Sequence, residues 1–541
     1  MRPFLVVLAI ALTVTVASAS GQQPPASSYG EAVFVVSGHG WGHGVGMSQY
    51  GAYGQALAGR TYRQILAYYY SGTTIGKAGR KQVRVLLAEG RRAVTVSSPA
   101  PLTAVDATGA TYRLAKGPVT LHAGLLLPVE AGPVTAASPL VIRSAKNALL
   151  ALDGRPYRGK LELVPQGDFL RVVNVVPLES YLQGVVAGEM PFGWPADALE
   201  AQAVAARSYA LSNLLKGKPY DLYSDVRSQV YLGVAGEKAS TTQAVAATAG
   251  EVVLYGSRIA TTYYFSTSGG RTASAEDVFG FSVPYLVSRP DPWDKLSPYH
   301  DWGPVLLGAR TVQSKLALDA RVLDAAGTAT PSGRLRALVL TTTSGSESVP
   351  ASLVRTTLGL RSTWFSVGVL RLDRPVAGPI VFGSTTHLAG VGRGLGAPRL
   401  VSSPDGVAWS PVRTLTPDAA GAVALDVKPL RITRYRLEAE GGASPAMLVE
   451  VAPRLALARP AAADPTVLAG TVRPRLPGAV VAIDRRKGTA WATLGEATVD
   501  AAGRFRLALG GPVVPVGSYR ARISATDSFA AGTSPVLQVT G

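Results

Sequence analysis

The run Gly188-Glu189-Met190-Pro191-Phe192-Gly193-Trp194-Pro195 puts one carboxylate among apolar and aromatic residues. A carboxyl group held between apolar walls keeps its proton to a higher pH than one in water, and a general acid working near neutrality needs that property. The same position also suits a solvated glutamate or one that caps a neighbouring helix. A second block with chemical potential lies far upstream: Gly38-His39-Gly40-Trp41-Gly42-His43-Gly44-Val45-Gly46-Met47-Ser48-Gln49-Tyr50-Gly51-Ala52. It lacks the Lys-Ser/Thr ending of a phosphate loop. His39 and His43 stand at i, i+4, but so many glycines argue against helix there and no third metal ligand follows. Trp, His, Met and Tyr order a chain, so a flexible linker is a poor description. The glycines are read instead as letting backbone come close to something, a ligand among the candidates.

The elements that must position these residues are legible around Glu189. A helix is expected over residues 177–187, with proline at its first turn and Leu178, Tyr181, Leu182, Val185 and Val186 on one face. A second should open at Pro195 and run to about Leu211, alanine-dense and acidic in its first turn. Glu189 is thereby expected in the link between them. From residue 82 to 173 short alternating runs such as Val83 to Leu87, Ala93 to Val96 and Leu161 to Val164 predict strands. Beyond the helical pair come Gln229-Val230-Tyr231, a polar helix near residues 240–249, and strands at residues 251–255 and 260–266. Strands outnumber helices, so the core is expected to be α+β.

Val176-Pro177-Leu178-Glu179-Ser180-Tyr181-Leu182-Gln183-Gly184-Val185-Val186, Glu189-Met190-Pro191, Trp194-Pro195 and Ala201-Gln202-Ala203-Val204-Ala205-Ala206-Arg207-Ser208-Tyr209 closely resemble the stage II sporulation protein D family (SpoIID/LytB). The resemblance implies a cell-wall lytic transglycosylase or a modifier of wall amidases, with Glu189 as the catalytic residue. The glycine-histidine block, with Gly59, Thr61-Tyr62, Ile65-Leu66, Tyr68-Tyr69-Tyr70 and Gly72-Thr73, resembles the terminal signature of the same domain. In most relatives that signature follows the Glu-Met-Pro region, and here it comes first. Leu360-Arg361-Ser362-Thr363-Trp364-Phe365 resembles the sequence that normally leads into it. A circular permutation is therefore expected, residues 31–75 filling the place that chain order would assign near residue 370. Ser268-Gly269-Gly270 matches a family feature expected to line the cleft. Some relatives hold zinc through cysteines around residues 220–231; Tyr223 and Ser228 occupy those positions, so neither metal nor cofactor is expected. Glu200 stands where relatives often have Lys.

Composition bounds the setting. Residues 1–19 read as a secretory signal, with Arg2, an apolar core and Ala17-Ser18-Ala19, followed by a linker at 20–30. No later run reaches the ~18 apolar residues of a spanning helix, so no stable membrane insertion is expected. The chain has no cysteine, which excludes disulfides and thiolate metal sites. Fifty-three Lys and Arg against 35 Asp and Glu give a formal +18, implying attraction to polyanions. Export and the lack of basic-aromatic runs count against nucleic acid and favour an anionic cell envelope. A secreted, wall-associated protein is expected, its partners being peptidoglycan glycan strands and an amidase.

The expected architecture is an α+β SpoIID-type core over residues 31–371, followed by two all-β immunoglobulin-like sandwich modules at 372–458 and 459–541. The modules rest on an internal repeat. Asp418-Ala419-Ala420-Gly421 recurs as Asp500-Ala501-Ala502-Gly503, and Trp409 as Trp491, both offset by 82 (500 − 418; 491 − 409). A spacer role is preferred for them over specific carbohydrate binding. The expected reaction cleaves the bond between N-acetylmuramic acid and N-acetylglucosamine. A hydrolase usually shows two carboxylates, whereas a lytic transglycosylase can use one: protonated Glu189 donates to the leaving oxygen, then takes the proton of the sugar's own C6 hydroxyl to close an anhydro ring. His39, His43, Ser48, Gln49, Gln202, Arg207 and Ser268 are the candidates for substrate binding or positioning, Arg207 being equally suited to an internal ion pair. The alternative is a non-catalytic wall-binding enhancer of an amidase.

Overall fold

The computed structural model describes residues 29–373 and 378–540. The signal expected at 1–19 and most of the linker lie outside the described residues. Strands far outnumber helices, and among the described residues no helix follows Leu358.

The helical pair forms where the apolar spacing placed it. The first helix, Leu178–Glu189, buries Leu178, Tyr181, Leu182, Val185 and Val186. The second, Ala196–Ser212, is buried along nearly its whole length, because its alanines let neighbouring elements approach from every side. Strands Gln82–Arg91 and Phe169–Pro177 pair antiparallel within a seven-stranded sheet. The second of these runs directly into the first helix, so one apolar cluster joins Val83, Val85 and Val172 to Tyr181, Val185 and Ala206. Residues 260–266 hold less strand than expected: only Tyr264–Phe265 is one, pairing in parallel with Met47–Ser48.

The glycine-histidine block is ordered by the rest of the chain. Strand β1 (Val33–His39) lies between Asp301–Gly308 and Phe365–Asp373, antiparallel to both. The turn that follows is tied down by backbone bonds: Gly40 N–H to the His300 carbonyl (3.0 Å), Trp41 to Thr267 (2.8 Å) and Gly42 to Arg361 (3.0 Å). Gly40 and Gly46 have φ of +72° and +81°. A Cβ on them would come within 2.6 Å of the Thr267 carbonyl and 2.0 Å of the Tyr263 carbonyl. The close approach these glycines permit is to the protein's own backbone, which corrects the expectation of a ligand. Two helices follow: α1 (Gln49–Leu57), capped by Ser48, and α2 (Tyr62–Tyr69), opened by a Thr61/Gln64 capping box. They pack on the Ala196–Ser212 helix through Ile65, Leu66, Tyr69, Leu199, Ala201 and Val204.

The boundary expected between residues 371 and 372 falls inside strand Phe365–Asp373. That strand pairs with β1 on one side and Thr386–Arg393 on the other, in one five-stranded sheet. Val35, Leu370 and Leu372 pack with Leu388, Val423 and Leu437, so the core and the first β unit share an apolar layer. The repeat is visible in atomic detail. Asp418 Oδ1 accepts from the Ala420 and Ala422 N–H groups as Asp500 Oδ1 does from Ala502 and Arg504. Arg436 lies 4.0 Å over Trp409 as Arg520 lies 4.4 Å over Trp491.

Candidate active site

Glu189 is the last residue of the Leu178–Glu189 helix rather than part of the link. The Met190 N–H still donates to the Val186 carbonyl at 3.0 Å. Pro191 then forces Met190 into an extended conformation with φ −134° and ends the helix. The carboxyl group is therefore held at the negative pole of a helix, where charge is disfavoured. Burial raises its pKa above the ordinary value, opposed by hydrogen bonding from Tyr264 and the Val230 backbone. No other carboxylate figures among the groups that shift it. Tyr264 has a single phenolic proton, donated to Gln229 Oε1 at 2.7 Å, so its pull on the Glu189 charge is weaker than its proximity implies. Gln229 is fixed in turn, its Nε2 donating to the Tyr181 hydroxyl and the Ala206 carbonyl, each at 3.3 Å. Tyr181 and Tyr209 also lie within electrostatic reach of Glu189. Glu189, Tyr209 and Tyr264 each keep partial exposure, so the sheltered acid remains open to a ligand.

Of the seven candidate binding residues, Gln49 and Gln202 gather at this helix end. Gln49 Nε2 donates to the Glu189 carbonyl at 2.8 Å and lies 3.5 Å from Gln202 Oε1. Both are buried, and the Gln202 Nε2 has no partner. They position the helix end and do not face a ligand. Ser48 is wholly buried and caps α1, its Oγ accepting from the Gly51 N–H at 3.1 Å. Ser268 is likewise enclosed, accepting from the Gly270 N–H. Arg207 is fully buried, pairs with Glu179 at 2.6 and 3.0 Å, and donates to the carbonyls of Glu251 and Val245. The substrate contacts expected of Gln49, Gln202, Ser48, Ser268 and Arg207 are replaced by internal ones, Arg207 taking its ion-pair role.

The two histidines separate. His43 packs against Tyr263, Phe265 and Phe279. Burial first, then Arg355, lowers its pKa to about 4, so it is neutral at physiological pH. Its Nδ1 accepts from the Val45 N–H, which leaves the proton on Nε2. His43 is half-buried, its ring held among aromatic side chains. His39 is exposed, with Nδ1 2.6 Å from Asp301 Oδ1, and its ring lies 5.0 Å from that of Trp364. Among the described residues no group of three or more His, Asp or Glu stands together as metal ligands. Where relatives were expected to hold cysteines, Ser228 Oγ accepts from the Tyr223 N–H and Arg227 lies 3.7 Å over the Tyr223 ring.

Residues 166–255, which contain Glu189 and the whole helical pair, match the family model for stage II sporulation protein SpoIID. This segment belongs to the SpoIID family. Stage II sporulation protein D of Bacillus amyloliquefaciens is 32% identical over 218 residues, 36% of this chain and 60% of that protein. Stage II sporulation protein D of Bacillus subtilis is 36% identical over 143 residues, 23% of this chain and 42% of that protein. The amidase enhancer of Bacillus subtilis is 34% identical over 177 residues, 32% of this chain and 23% of that protein. The chain thus spans less than two thirds of the length of each of these SpoIID relatives.

Several residues around the SpoIID glutamate escaped the sequence reading. Tyr181 was read only as an apolar face residue, and Tyr209 and Tyr264 carried no local signal for a shared site. Asp291 and Asp294 form a second buried acidic centre. Asp291 Oδ1 accepts from the Tyr69 hydroxyl at 2.9 Å, and Asp294 Oδ2 accepts from the Gly269 N–H at 2.6 Å with His300 Nδ1 at 3.3 Å. Both carboxylates are fully enclosed, so they anchor α2 to the Ser268-Gly269 turn and cannot meet a sugar. Their signal was the run Asp291-Pro292-Trp293-Asp294, which reveals no partner until the chain is folded.

Proposed function

We propose that this protein is a secreted lytic transglycosylase that cleaves the N-acetylmuramic acid–N-acetylglucosamine bond of peptidoglycan and leaves 1,6-anhydro ends. The observation that carries this reading is a single carboxyl group, Glu189, set at a helix C-terminus where burial raises its pKa above the ordinary value while the side chain stays partly exposed. Protonated Glu189 donates to the glycosidic oxygen as that bond breaks. The resulting carboxylate takes the proton of the C6 hydroxyl as its oxygen attacks C1. One group serves both steps, no water is consumed, and no second carboxylate is required.

We also take the domain to be circularly permuted. β1 enters the sheet beside Phe365–Asp373, as the strand of an unpermuted domain would after the Leu360-to-Phe365 sequence. The tandem β units are taken as immunoglobulin-like spacers. A second reading, a non-catalytic enhancer of a wall amidase, is favoured by the 34% identity to a protein named amidase enhancer. Incubation of the purified protein with glycan strands, with mass spectrometry for anhydro-muramic ends, separates the two. Wild type should yield such ends and Glu189→Gln none. Identical, product-free traces from both would remove the enzyme reading and leave the enhancer.

A further inference from the structure

Beyond the acid itself, aromatic side chains run outward from its helix end. Trp194, five residues after Glu189, stacks on Tyr53 at 4.5 Å and meets Tyr50 edge-on at 4.9 Å. Tyr50 follows Gln49, the residue that grips the Glu189 carbonyl. Its N–H donates to the Ser266 carbonyl at 3.0 Å, and the next residue, Thr267, exchanges backbone bonds with Trp41 in both directions. Trp41 meets Tyr299 edge-on at 4.6 Å, and Tyr299 lies within electrostatic reach of Tyr50. Two aromatic groups, Trp194 with Tyr53 and Tyr50 and Trp41 with Tyr299, are thus bolted to adjacent backbone positions. Trp41 is 39% exposed, a large apolar surface left to water at the far end of the row.

Arg361 completes that end. Its guanidinium sits 4.2 Å from the Tyr299 ring centre and 5.2 Å from that of Trp41. The guanidinium itself makes no ion pair or hydrogen bond among the described residues, the Arg361 bonds being made by its carbonyl. Arg207, Arg371 and Arg393, by contrast, each hold a carboxylate within 3 Å. A guanidinium fixed by two rings with its donors unused is preorganised for an anion, above all a carboxylate it can hold by two parallel bonds.

We propose that Trp194, Tyr50, Tyr299 and Trp41 form a ledge on which successive sugar rings of a glycan strand stack, and that Arg361 at its outer end binds a carboxylate borne by a sugar several units from the cleaved bond. This rests on the glycan-cleaving reading and adds to it a specificity site remote from the chemistry. A strand with acidic substituents is held along the ledge, and its binding energy is available to seat the glycosidic oxygen at Glu189. The carboxylate has two sources, the lactyl group of a peptide-free muramic residue or the acidic residues of an attached stem peptide.

The test uses the full chain with Glu189→Gln, so that strands are bound and not consumed. Calorimetry measures affinity for neutral N-acetylglucosamine hexamers, for peptide-free strands and for strands carrying stem peptides. Arg361→Gln in that background should reduce the preference for carboxylate-bearing strands over the neutral hexamer about tenfold, the scale of one lost charge-assisted bond. Whichever strand loses the preference identifies the source. Trp41→Ala should weaken hexamer and strands alike, about five- to tenfold, while affinity for a disaccharide changes less. If Arg361→Gln keeps the preference, or Trp41→Ala loses no more on hexamers than on disaccharides, the ledge is refuted even if anhydro ends are still made by the wild type. If no saccharide binds at all, both readings fall together.

Discussion

Replacing Asp291 by Asn tests the buried acidic centre, and the size of the effect follows from its surroundings. Burial first, then the neighbouring Asp294, raises the Asp291 pKa from the ordinary 3.8 to about 7; the Ser268, Tyr69 and Ser48 hydroxyls oppose the shift. A folded-state pKa above the unfolded one means that the native state holds its proton more tightly. The stability this group contributes is complete below about pH 4 and is lost as pH rises towards 7. A shift of about three units at 1.36 kcal/mol each corresponds to on the order of 4 kcal/mol over that window. Asn keeps an oxygen for the Tyr69 hydroxyl and cannot ionise, so the variant should lack this slope. The assay is hydrogen-exchange mass spectrometry under mild urea, following residues 62–70 and 265–270, the segments Asp291 and Asp294 tie together, at pH 4, 5.5, 7 and 8 for variant and wild type. Relative to wild type, the variant's protection should grow steadily from pH 4 to pH 7 and then level off. A difference that is the same at every pH would refute the assignment of a protonated, buried Asp291.

Three further outcomes follow. Gly51→Ala should destabilise the protein by roughly 1–3 kcal/mol as overpacking does, because the new Cβ would lie 2.0 Å from the Tyr69 hydroxyl and 2.4 Å from Asp291 Oδ2; an unchanged urea midpoint would contradict this packing. The His43 imidazole, with its pKa lowered to about 4, should show flat NMR shifts from pH 8 to pH 5. Because its folded pKa is depressed, its contribution to stability is present above about pH 6.5 and lost as pH falls through 4, and a His43 titration near 6.5 would disprove its enclosure. Strand cleavage should decline as pH rises through the raised Glu189 pKa, since the acid form initiates the reaction. A rate that instead climbs through that region would point to Glu189 acting first as a base.

Local pattern carried much of the architecture. Alanine density and apolar spacing placed both helices within two residues of their observed ends, and residues 251–255 form the strand their β-branched run predicts. Glu189 was singled out by its apolar neighbours together with the family resemblance, but its place on the helix was missed because Pro191 stops the helix later than Gly188 suggests. The helices α1 and α2 were hidden by glycines and tyrosines, although Ser48 and the Thr61/Gln64 pair are ordinary capping signals. Polar residues inside α1 and the Ala196–Ser212 helix looked available for a ligand because sequence does not reveal burial. Arg207 and Gln202 have no exposed surface, and only the packed neighbours decide that. The acid's companions Tyr264 and Gln229 stand 75 and 40 positions beyond it (264 − 189; 229 − 189), where periodicity has no reach. The shared sheet at residue 371 was invisible for the same reason, since the internal repeat beyond it says nothing about which strands pair.

The position of β1 has a consequence for how the protein comes into being. Its neighbours Asp301–Gly308 and Phe365–Asp373 are synthesised some 270 to 330 residues later (301 − 33 = 268; 365 − 33 = 332). The Ser362 hydroxyl reaches back 323 positions to the His39 carbonyl. During elongation the earliest strand has nothing to pair with, and the clamp that Gln49 places on Glu189 waits for a sheet not yet made. Contacts that span so much chain form slowly. A nascent molecule of this kind stays open and pliable until most of it has been made, which leaves its apolar first strand in need of cover until the last partner arrives.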